Sequence, residues 1–221
     1  MGQGAYALVG RPWQLHWGAT AEEASTRLPG DELVPDATYV TTRGITVQAP
    51  AEAVWPWLVQ MGQGRGGLYT YDRLEQIAGL AIRSADHIVP ELQQLAVGDT
   101  VNLAAVGGPK VALLDPGRAL VLYETMDLRT GLPIPSVPPT QWAMDWTWAF
   151  TLRPSRDGAT RLVIRTRGAY RPHGLLAPVM VLLLEPVHFV MERGMLLGIK
   201  RRAEHAGAAP VADLVAPASQ V

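Results

Sequence analysis

The sequence has no cysteine among its 221 residues. This absence excludes disulfide bonds, thiolate metal sites and a cysteine nucleophile, and it favours a reducing compartment, which we expect to be the cytoplasm. Neither sign of charge is in excess, because 19 Lys and Arg stand against 20 Asp and Glu. The basic residues form no stripe along the chain, so we expect no nucleic-acid partner.

Long hydrophobic runs are also missing. The apolar run at 175–184 is interrupted by Pro178, and it is too short for a membrane span, which needs about 20 residues. The N-terminal stretch lacks the basic segment followed by an apolar segment that marks a signal peptide. The sequence therefore predicts no membrane span, while contact with a membrane surface stays open.

Residues 62–67 read GQGRGG and match the dinucleotide-binding pattern G-x-G-x-x-G. The context differs from that of a nucleotide site, because a helix is predicted before the motif where a strand is required. No Gly-Lys-Ser/Thr follows, as a P-loop would need. We interpret this stretch as a flexible connector and expect neither a cofactor nor a bound metal.

Hydrophobic periodicity predicts strands and helices in an α+β order. Consecutive strands joined by short turns favour an antiparallel sheet. Residues 1–37 are expected to form an arm packed on a domain of residues 38–205, and residues 206–221 a disordered tail. Trp13 and Trp17 are predicted to anchor the arm from one helical face, and Thr20 with Glu23 forms a capping-box pattern. The predicted strands are 39–48, 100–104, 110–114, 119–125, 144–153 and 160–170, and the main helices are 51–60, 71–78 and 187–205. Pro56 is expected to kink or split the helix at 51–60, and a short helix is expected at 90–95.

The helix at 187–205 is expected to pack on the sheet. It has one broad apolar stripe, which must be buried, and the upstream strands are the large partner available for it. Cationic residues gather near its end, where they suit the helix C-terminus. The predicted stripe contains Leu184, Val187, His188, Met191, Met195 and Ile199.

Several stretches resemble the bacterial SRPBCC proteins, the START/Bet v1-like or helix-grip superfamily. They are APAEAVWPWLVQMG (49–62), LYTYDRLEQIAGL (68–80), HIVPELQQLAVGD (87–99) and EPVHFVMERGMLLGIKRRAE (185–204). The resemblance covers roughly residues 30–205. It implies a curved antiparallel β-sheet wrapped around the long C-terminal helix, with an internal cavity between them. Members include lipid carriers, hormone receptors and polyketide aromatases and cyclases, so the fold alone does not give the function.

The residue pattern agrees with a cavity of this kind. Period-2 alternation places Trp142, Trp146 and Trp148 on one face of strand 144–153. Each buried indole N–H needs a hydrogen-bond acceptor, which is easier to supply in a flat-walled ligand pocket than in a dry core. The competing interpretation is that these large residues fill a solid core. On the next strand, Gly168 is expected at or near the level of Trp146, which leaves space over the sheet. Asp145 is expected on the opposite face, close to Arg167.

His188 is the main polar candidate for a site. It lies on the predicted inner stripe with Glu185 and Glu192 one turn away on either side, and carboxylates this close favour a raised pKa. An acid–base or ligand-orienting role competes with a structural hydrogen bond that holds the helix to the sheet. A His-x-x-x-Glu metal pair is disfavoured, because no further ligand is evident.

Two functions remain open from the sequence. The first is binding of an apolar small molecule, such as a polycyclic or polyketide-like compound, without covalent chemistry. The second is a cofactor-independent cyclase, dehydratase or isomerase, in which His188, Glu192 and a tyrosine move protons. The residues predicted to contact the ligand are Tyr69, Tyr71, Tyr123, Trp142, Trp146, Trp148, Met191 and Met195. The ligand's identity and the oligomeric state are not specified by the sequence.

Overall fold

A single six-stranded antiparallel sheet and one long helix dominate the fold. The computed structural model describes residues 10–70, 84–103, 107–134, 142–171 and 185–208. The strand order is β1-β6-β5-β3-β2, with the short β4 paired to β3. In chain order the elements are α1 (Arg11–Leu15), α2 (Ala21–Ser25), β1 (Tyr39–Val47), α3 (Ala51–Val59), β2 (Lys110–Asp115), β3 (Ala119–Asp127), β4 (Leu132–Pro133), β5 (Ala143–Pro154), β6 (Thr160–Arg171) and α4 (Glu185–Ala208).

The β5–β6 hairpin forms the centre of the sheet, as the alternation of apolar and polar residues predicts. Trp146 pairs with Gly168 directly across the two strands. The turn contains Asp157 with φ 55° and Gly158 with φ 73°, a left-handed region that Asp and Gly adopt more readily than most residues. The register places Ala169 opposite Asp145, with Arg167 and Arg171 as its diagonal neighbours on the same face, which confirms the predicted placement near Arg167. The ion pair of Asp145 is nevertheless with Arg171, because Arg167 donates to the carbonyl of Val34 in the arm.

Helix α4 lies against β1 and α3. It is slightly longer at both ends than the predicted 187–205. The predicted stripe was partly wrong, because Val187 is 60% exposed whereas Glu185 and Glu192 are buried. The helix is therefore rotated so that two carboxylates face inward. The buried apolar residues of its C-terminal half are Met195, Leu196, Ile199 and Ala203.

Helix α3 is continuous through Pro56, which the sequence predicted would kink or split it. A proline in a helix removes one backbone hydrogen bond and crowds the preceding turn. The burial of this short helix against the core compensates for that loss, since Val54, Trp57 and Leu58 are each no more than 1% exposed.

Connecting segments differ more from the predictions. The helix expected at 90–95 is a single 3₁₀ turn, Pro90–Leu92. The strand expected at 100–104 is reduced to one bridge between Thr100 and Lys110. The glycine-rich stretch closes on itself through a bridge between Gly62 and Gly67, which fits the interpretation as a connector. The predicted helix 71–78 and residues 209–221 of the predicted tail lie outside the described residues.

The N-terminal segment covers the outer face of the sheet, where three arginines of β6 point toward it. Arg161 pairs with Glu23 at 2.7 Å, Arg165 pairs with Asp31 at 2.7 Å, and Arg167 donates to the carbonyl of Val34 at 3.1 Å. Arg165 also donates to the carbonyls of Glu23, Ala24 and Thr26. These contacts satisfy backbone carbonyls that the short α2 leaves unpaired.

Two features were predicted for the arm, a capping box and a pair of anchoring tryptophans. The capping box between Thr20 and Glu23 is confirmed. Trp13 and Trp17 do not share a helical face, because α1 ends at Leu15, and Trp13 is 58% exposed. Both indoles nevertheless make edge-on contacts with Phe189 of α4, at centroid distances of 5.3 and 6.5 Å.

Candidate functional site

The main cavity lies between the inner face of the sheet and the N-terminal half of α4. Its volume is about 350 Å³. Gly168 lines it beside Trp146, and a Cβ atom placed on Gly168 would come no closer than 3.7 Å to any neighbour. A methyl group at this position would therefore make ordinary van der Waals contacts, and the absence of a side chain on Gly168 leaves that volume to the cavity. The other lining residues are Tyr39, Leu103, Gly107, Gly108, Glu124, Met126, Leu128, Gly131, Pro133, Met144, Thr166, Tyr170, Glu185 and His188.

A second, smaller cavity of about 110 Å³ lies further along α4. It shares Leu103, Trp146 and His188 with the main cavity, so these three side chains form the boundary between the two spaces. Four of the predicted ligand-contacting residues line the smaller cavity: Trp146, Trp148, Met191 and Met195. Of these, Trp146 also reaches the main cavity.

An ion pair closed off from solvent holds α4 to the sheet. Arg43 of β1 and Glu192 of α4 are in direct contact, and both side chains are 0% exposed. Glu192 also accepts hydrogen bonds from the indole of Trp148 at 2.8 Å and from Thr166 at 3.3 Å. Burial alone would raise the pKa of Glu192, but the neighbouring His188 and Arg43, together with these hydrogen bonds, hold that pKa below its ordinary value.

Arg43 connects this pair to the N-terminal arm. Its Nε donates to the carbonyl of Gln14 at 2.9 Å, and its guanidinium lies 5.2 Å from the ring centre of Phe189. The Nη2 atom is buried without a hydrogen-bond partner among the described residues. The arginine thus joins three parts of the chain at one buried point, which the sequence analysis missed.

His188 sits above the ion pair at the boundary of the two cavities, with about a third of its side chain exposed. Its Nδ1 lies 3.2 Å from the hydroxyl of Tyr39 and 3.5 Å from Nη1 of Arg43. Since a guanidinium only donates, Nδ1 presents its lone pair, and we assign the proton to Nε2, which faces Glu192 at 3.6 Å.

The predicted direction of the His188 pKa shift was wrong. Its pKa is lowered, because burial disfavours the imidazolium and Arg43 adds a like charge, and these effects outweigh the attraction of Glu192 and Glu185. The sequence placed the two carboxylates correctly near the histidine, but it could not place Arg43 there. Glu185 is held by both nitrogens of the Arg11 fork, at 2.8 and 2.9 Å.

Two tyrosines that line the main cavity were not among the predicted contacts. Burial raises the pKa of Tyr39 far above its ordinary value and that of Tyr170 to about 12. Both hydroxyls therefore stay protonated at neutral pH and act as hydrogen-bond donors. The alternation on β1 and β6 could have identified them, because Tyr39 is cross-strand from Gly168 and Tyr170 lies two residues after Gly168 on the same face.

Glu124 is the third polar group that the sequence analysis missed. It lines the main cavity and accepts a hydrogen bond from the indole of Trp146 at 3.3 Å. Burial raises its pKa, an effect that the hydrogen bond from Trp146 opposes. Its place on β3 could have been found from the alternation, since Leu120 and Leu122 precede it on the face that forms the core.

The remaining predicted contacts lie elsewhere. Tyr123 is on the other face of β3, where its hydroxyl meets Thr125 and Asp145, so its predicted place in the inner cavity is corrected. Tyr69 is 1% exposed and donates to the carbonyl of Trp57, which makes it part of the core. Trp142 directly precedes β5, and its carbonyl accepts a hydrogen bond from Leu128. Tyr71 lies outside the described residues.

Within the described ranges, no group of three or more His, Asp or Glu side chains is arranged to hold a metal ion. No helix in the described part of the chain is both long and apolar enough to cross a membrane.

Comparisons with known proteins give matches only among solved structures. No protein-family model matches the chain, and no curated protein matches it. A hypothetical protein from Helicobacter pylori is 9% identical, with 84% of this chain and 99% of that chain covered and a TM-score of 0.48. Truncated norcoclaurine synthase from Thalictrum flavum is 12% identical, with 74% and 91% covered and a TM-score of 0.41. CalU16 from Micromonospora echinospora is 14% identical, with 76% and 85% covered and a TM-score of 0.32.

At these identities the likeness concerns the fold alone. The sheet order, the antiparallel pairing and the long helix held against β1 agree with the architecture that the sequence resemblance implies. The chain has an α+β fold in which a six-stranded antiparallel sheet packs against a long C-terminal helix, the helix-grip architecture expected from the sequence resemblance.

Proposed function

We propose that this protein binds an apolar small molecule in the main cavity between the sheet and α4. The observation that carries the proposal is the cavity itself, which Gly168 and the indole of Trp146 line on the sheet side. A solid core would fill such a space, because protein interiors are packed as densely as organic crystals. Its volume of about 350 Å³ falls at the lower end of the range for small-molecule sites, about 300–1,000 Å³.

The lining indicates the kind of ligand. Apolar side chains such as Met126, Met144 and Leu128 predominate, and the indole of Trp146 offers a flat surface. Rings stack or pack edge-on against such a surface at a gain of about 0.5–1.5 kcal/mol beyond the area buried. A rigid aromatic or polycyclic ligand would therefore match the site, with the tyrosine hydroxyls and His188 fixing its orientation.

Fluorescence of a bound apolar dye tests the proposal. We expect N-phenyl-1-naphthylamine, an uncharged apolar dye, to bind the native protein and to quench tryptophan emission. Trp146→Ala should weaken the binding severalfold, while Trp13→Ala, at an exposed indole that does not line the cavity, serves as the matched control. Equal small effects from the two variants would place the dye on the surface and overturn the proposal.

A second candidate function is acid–base catalysis in the same cavity, of the cyclase, dehydratase or isomerase type. The observation that favours it is the hydrogen bond between Tyr39 and the unprotonated Nδ1 of His188. The oxygen of Tyr39 can take a proton from the ligand as its own hydroxyl proton passes to Nδ1 of the neutral histidine, and Glu192 stabilises the resulting imidazolium. In this scheme Tyr39 replaces the tyrosines named from the sequence.

Binding and turnover separate the two candidates. Native mass spectrometry of the purified protein identifies the bound compound, which is then incubated with the wild type and with Tyr39→Phe. Catalysis predicts a chemical change by the wild type that the variant loses while it still binds the compound. If both proteins bind the compound and leave it chemically unchanged, catalysis is excluded for that compound and the binding function stands.

A further inference from the structure

Glu124 enters the main cavity without a cationic partner. The other two carboxylates at this site are neutralised, Glu185 by Arg11 and Glu192 by Arg43. Glu124 instead accepts one hydrogen bond from the indole of Trp146, and no Lys or Arg of the described ranges forms an ion pair with it. Burial raises its pKa, which is the expected behaviour of a carboxylate that lacks a counter-charge.

The surroundings of Glu124 favour a cation. The rings of Trp146, Tyr39 and Tyr170 line the same cavity, and the faces of such rings attract ammonium groups. The hydrogen bond from Trp146 fixes one carboxylate oxygen, which leaves the remaining lone pairs for a ligand. A partly buried carboxylate without a counter-charge has lost part of its hydration, and a cationic ligand would offset that loss.

We propose that the ligand is an aromatic or polycyclic amine, bound with its protonated nitrogen at Glu124 and its rings against Trp146. This inference rests on the ligand-binding function proposed above and adds the chemical class of the ligand. The other charged groups near the cavity agree with it. Glu185 adds negative charge that Arg11 balances, His188 is neutral, and Lys110 of β2 lies across an outer groove that Glu124 also borders.

Three naphthalene probes of similar size and different charge test the proposal by isothermal titration calorimetry. They are 2-(naphthalen-2-yl)ethylamine, which is cationic at pH 7, 2-(naphthalen-2-yl)ethanol, which is neutral, and the carboxylate 2-(naphthalen-2-yl)acetate, which is anionic. We expect the amine to bind at least about tenfold more tightly than the alcohol, because a hydrogen bond to a charged group contributes more than a neutral one. The acetate should bind most weakly.

The variant Glu124→Gln keeps the shape of the side chain and its contact with Trp146. It should remove the preference for the amine, while the affinity for the alcohol changes by less than about threefold. Gln94→Glu adds a carboxylate at an exposed position outside the cavity lining and controls for nonspecific attraction, so it should leave the order of the probes unchanged.

The outcomes separate the two proposals. If the alcohol binds as tightly as the amine to the wild type, the amine proposal is overturned and the binding function stands. If none of the probes binds, both proposals fail. Should Glu124→Gln not fold, the order of the three probes on the wild type still decides the question.

Discussion

Arg43 and Glu192 form an ion pair from which solvent is wholly excluded, although 149 residues separate them in the chain. Each compensates for the burial of the other, because a charge taken out of water is costly without a partner. Trp148, Thr166 and Gln14 add the hydrogen bonds that such a pair needs. The pair fixes the position of α4 over the cavity.

Removing one member of this pair should destabilise the protein strongly. Arg43→Met and Glu192→Met are each expected to lower the free energy of unfolding by about 3–5 kcal/mol, because each leaves a buried charge unpaired. The double variant should lose less than the sum of the two, by at least about 1 kcal/mol, as expected for residues in direct contact. Urea denaturation of all four proteins measures the coupling.

The exposed pair Arg27 and Glu32 provides the matched control. Its atoms lie 3.7 Å apart with side chains 74% and 49% exposed. Arg27→Met should change the free energy of unfolding by less than about 1 kcal/mol, since solvent screens such pairs. Additive effects of Arg43→Met and Glu192→Met would contradict the coupling derived from the structure.

Acidification should destabilise the protein in two stages. The pKa of His188 is lowered from 6.5 in the fold, so below about pH 6.5 the unfolded chain takes up a proton that the folded protein does not, and stability falls. The pKa of Glu192 is lowered from 4.5, so its stabilising contribution is present above pH 4.5 and is lost as the pH falls below that value.

Thermal melts of the wild type and His188→Gln between pH 4 and pH 8 check the first stage. Glutamine keeps a hydrogen-bonding side chain but does not titrate, so the variant should show a smaller loss between pH 7 and pH 5.5. At pH 8, the melting temperature should fall by roughly 2–8 °C if a buried hydrogen bond is lost. An unchanged pH profile would show that His188 is not the group responsible.

Side chains of increasing size at Gly168 should fill the main cavity. Its Cβ position is free of close contacts, with Tyr39 and Tyr170 at 3.7 and 3.8 Å. In the series Gly168→Ala, Gly168→Val and Gly168→Leu, we expect the affinity for the naphthalene amine to fall stepwise. The first substitution should not lower the melting temperature, because glycine within a strand is unfavourable by roughly 0.5–1 kcal/mol relative to alanine. Unchanged affinity across the series would place the ligand elsewhere.

Gly198→Ala should destabilise the protein, in contrast to the usual effect of this change. In a helix interior, glycine to alanine normally stabilises by about 1 kcal/mol. A Cβ atom on Gly198 would lie 2.0 Å from the carbonyl oxygen of Tyr69, so the backbone must move, at a cost of about 1–3 kcal/mol or more. Urea denaturation measures the effect, and we expect the midpoint to fall. A rise in the midpoint would contradict the close approach of Gly198 to Tyr69.

The sheet and the long helix were predictable because their patterns are local. Alternation over ten residues identified β5 and β6, and even placed Gly168 level with Trp146. The 3.6-residue period identified α4, although the predicted apolar stripe included Val187, which is exposed. Hydrophobicity alone favoured that choice, since a stripe containing Glu185 and Glu192 is explained only by partners elsewhere in the chain.

The candidate site was less predictable for the same reason. Arg43 and Glu124 each lie on a strand, on the face that carries apolar residues, where a charged side chain conflicts with the pattern. That conflict was the signal in the sequence that could have identified Arg43 and Glu124. Their partners are set by the pairing of distant strands and by the position of α4, which a local pattern does not encode. Tyrosines were chosen near the glycine-rich stretch, whereas Tyr39 comes from the first residue of β1.

The direct contact of Gly198 with the backbone at Tyr69 divides α4 into two parts with different tolerances. A methyl group on Gly198 would collide with that backbone, so the spacing between α4 and Tyr69 is fixed at this point. The half before it is held through side chains, by Glu185 to Arg11 of α1 and by His188 and Glu192 to Tyr39 and Arg43 of β1. Changes of ligand preference during divergence or engineering should therefore accumulate between residues 185 and 192, while substitutions at the buried positions Leu196, Ile199 and Ala203 should destabilise the fold.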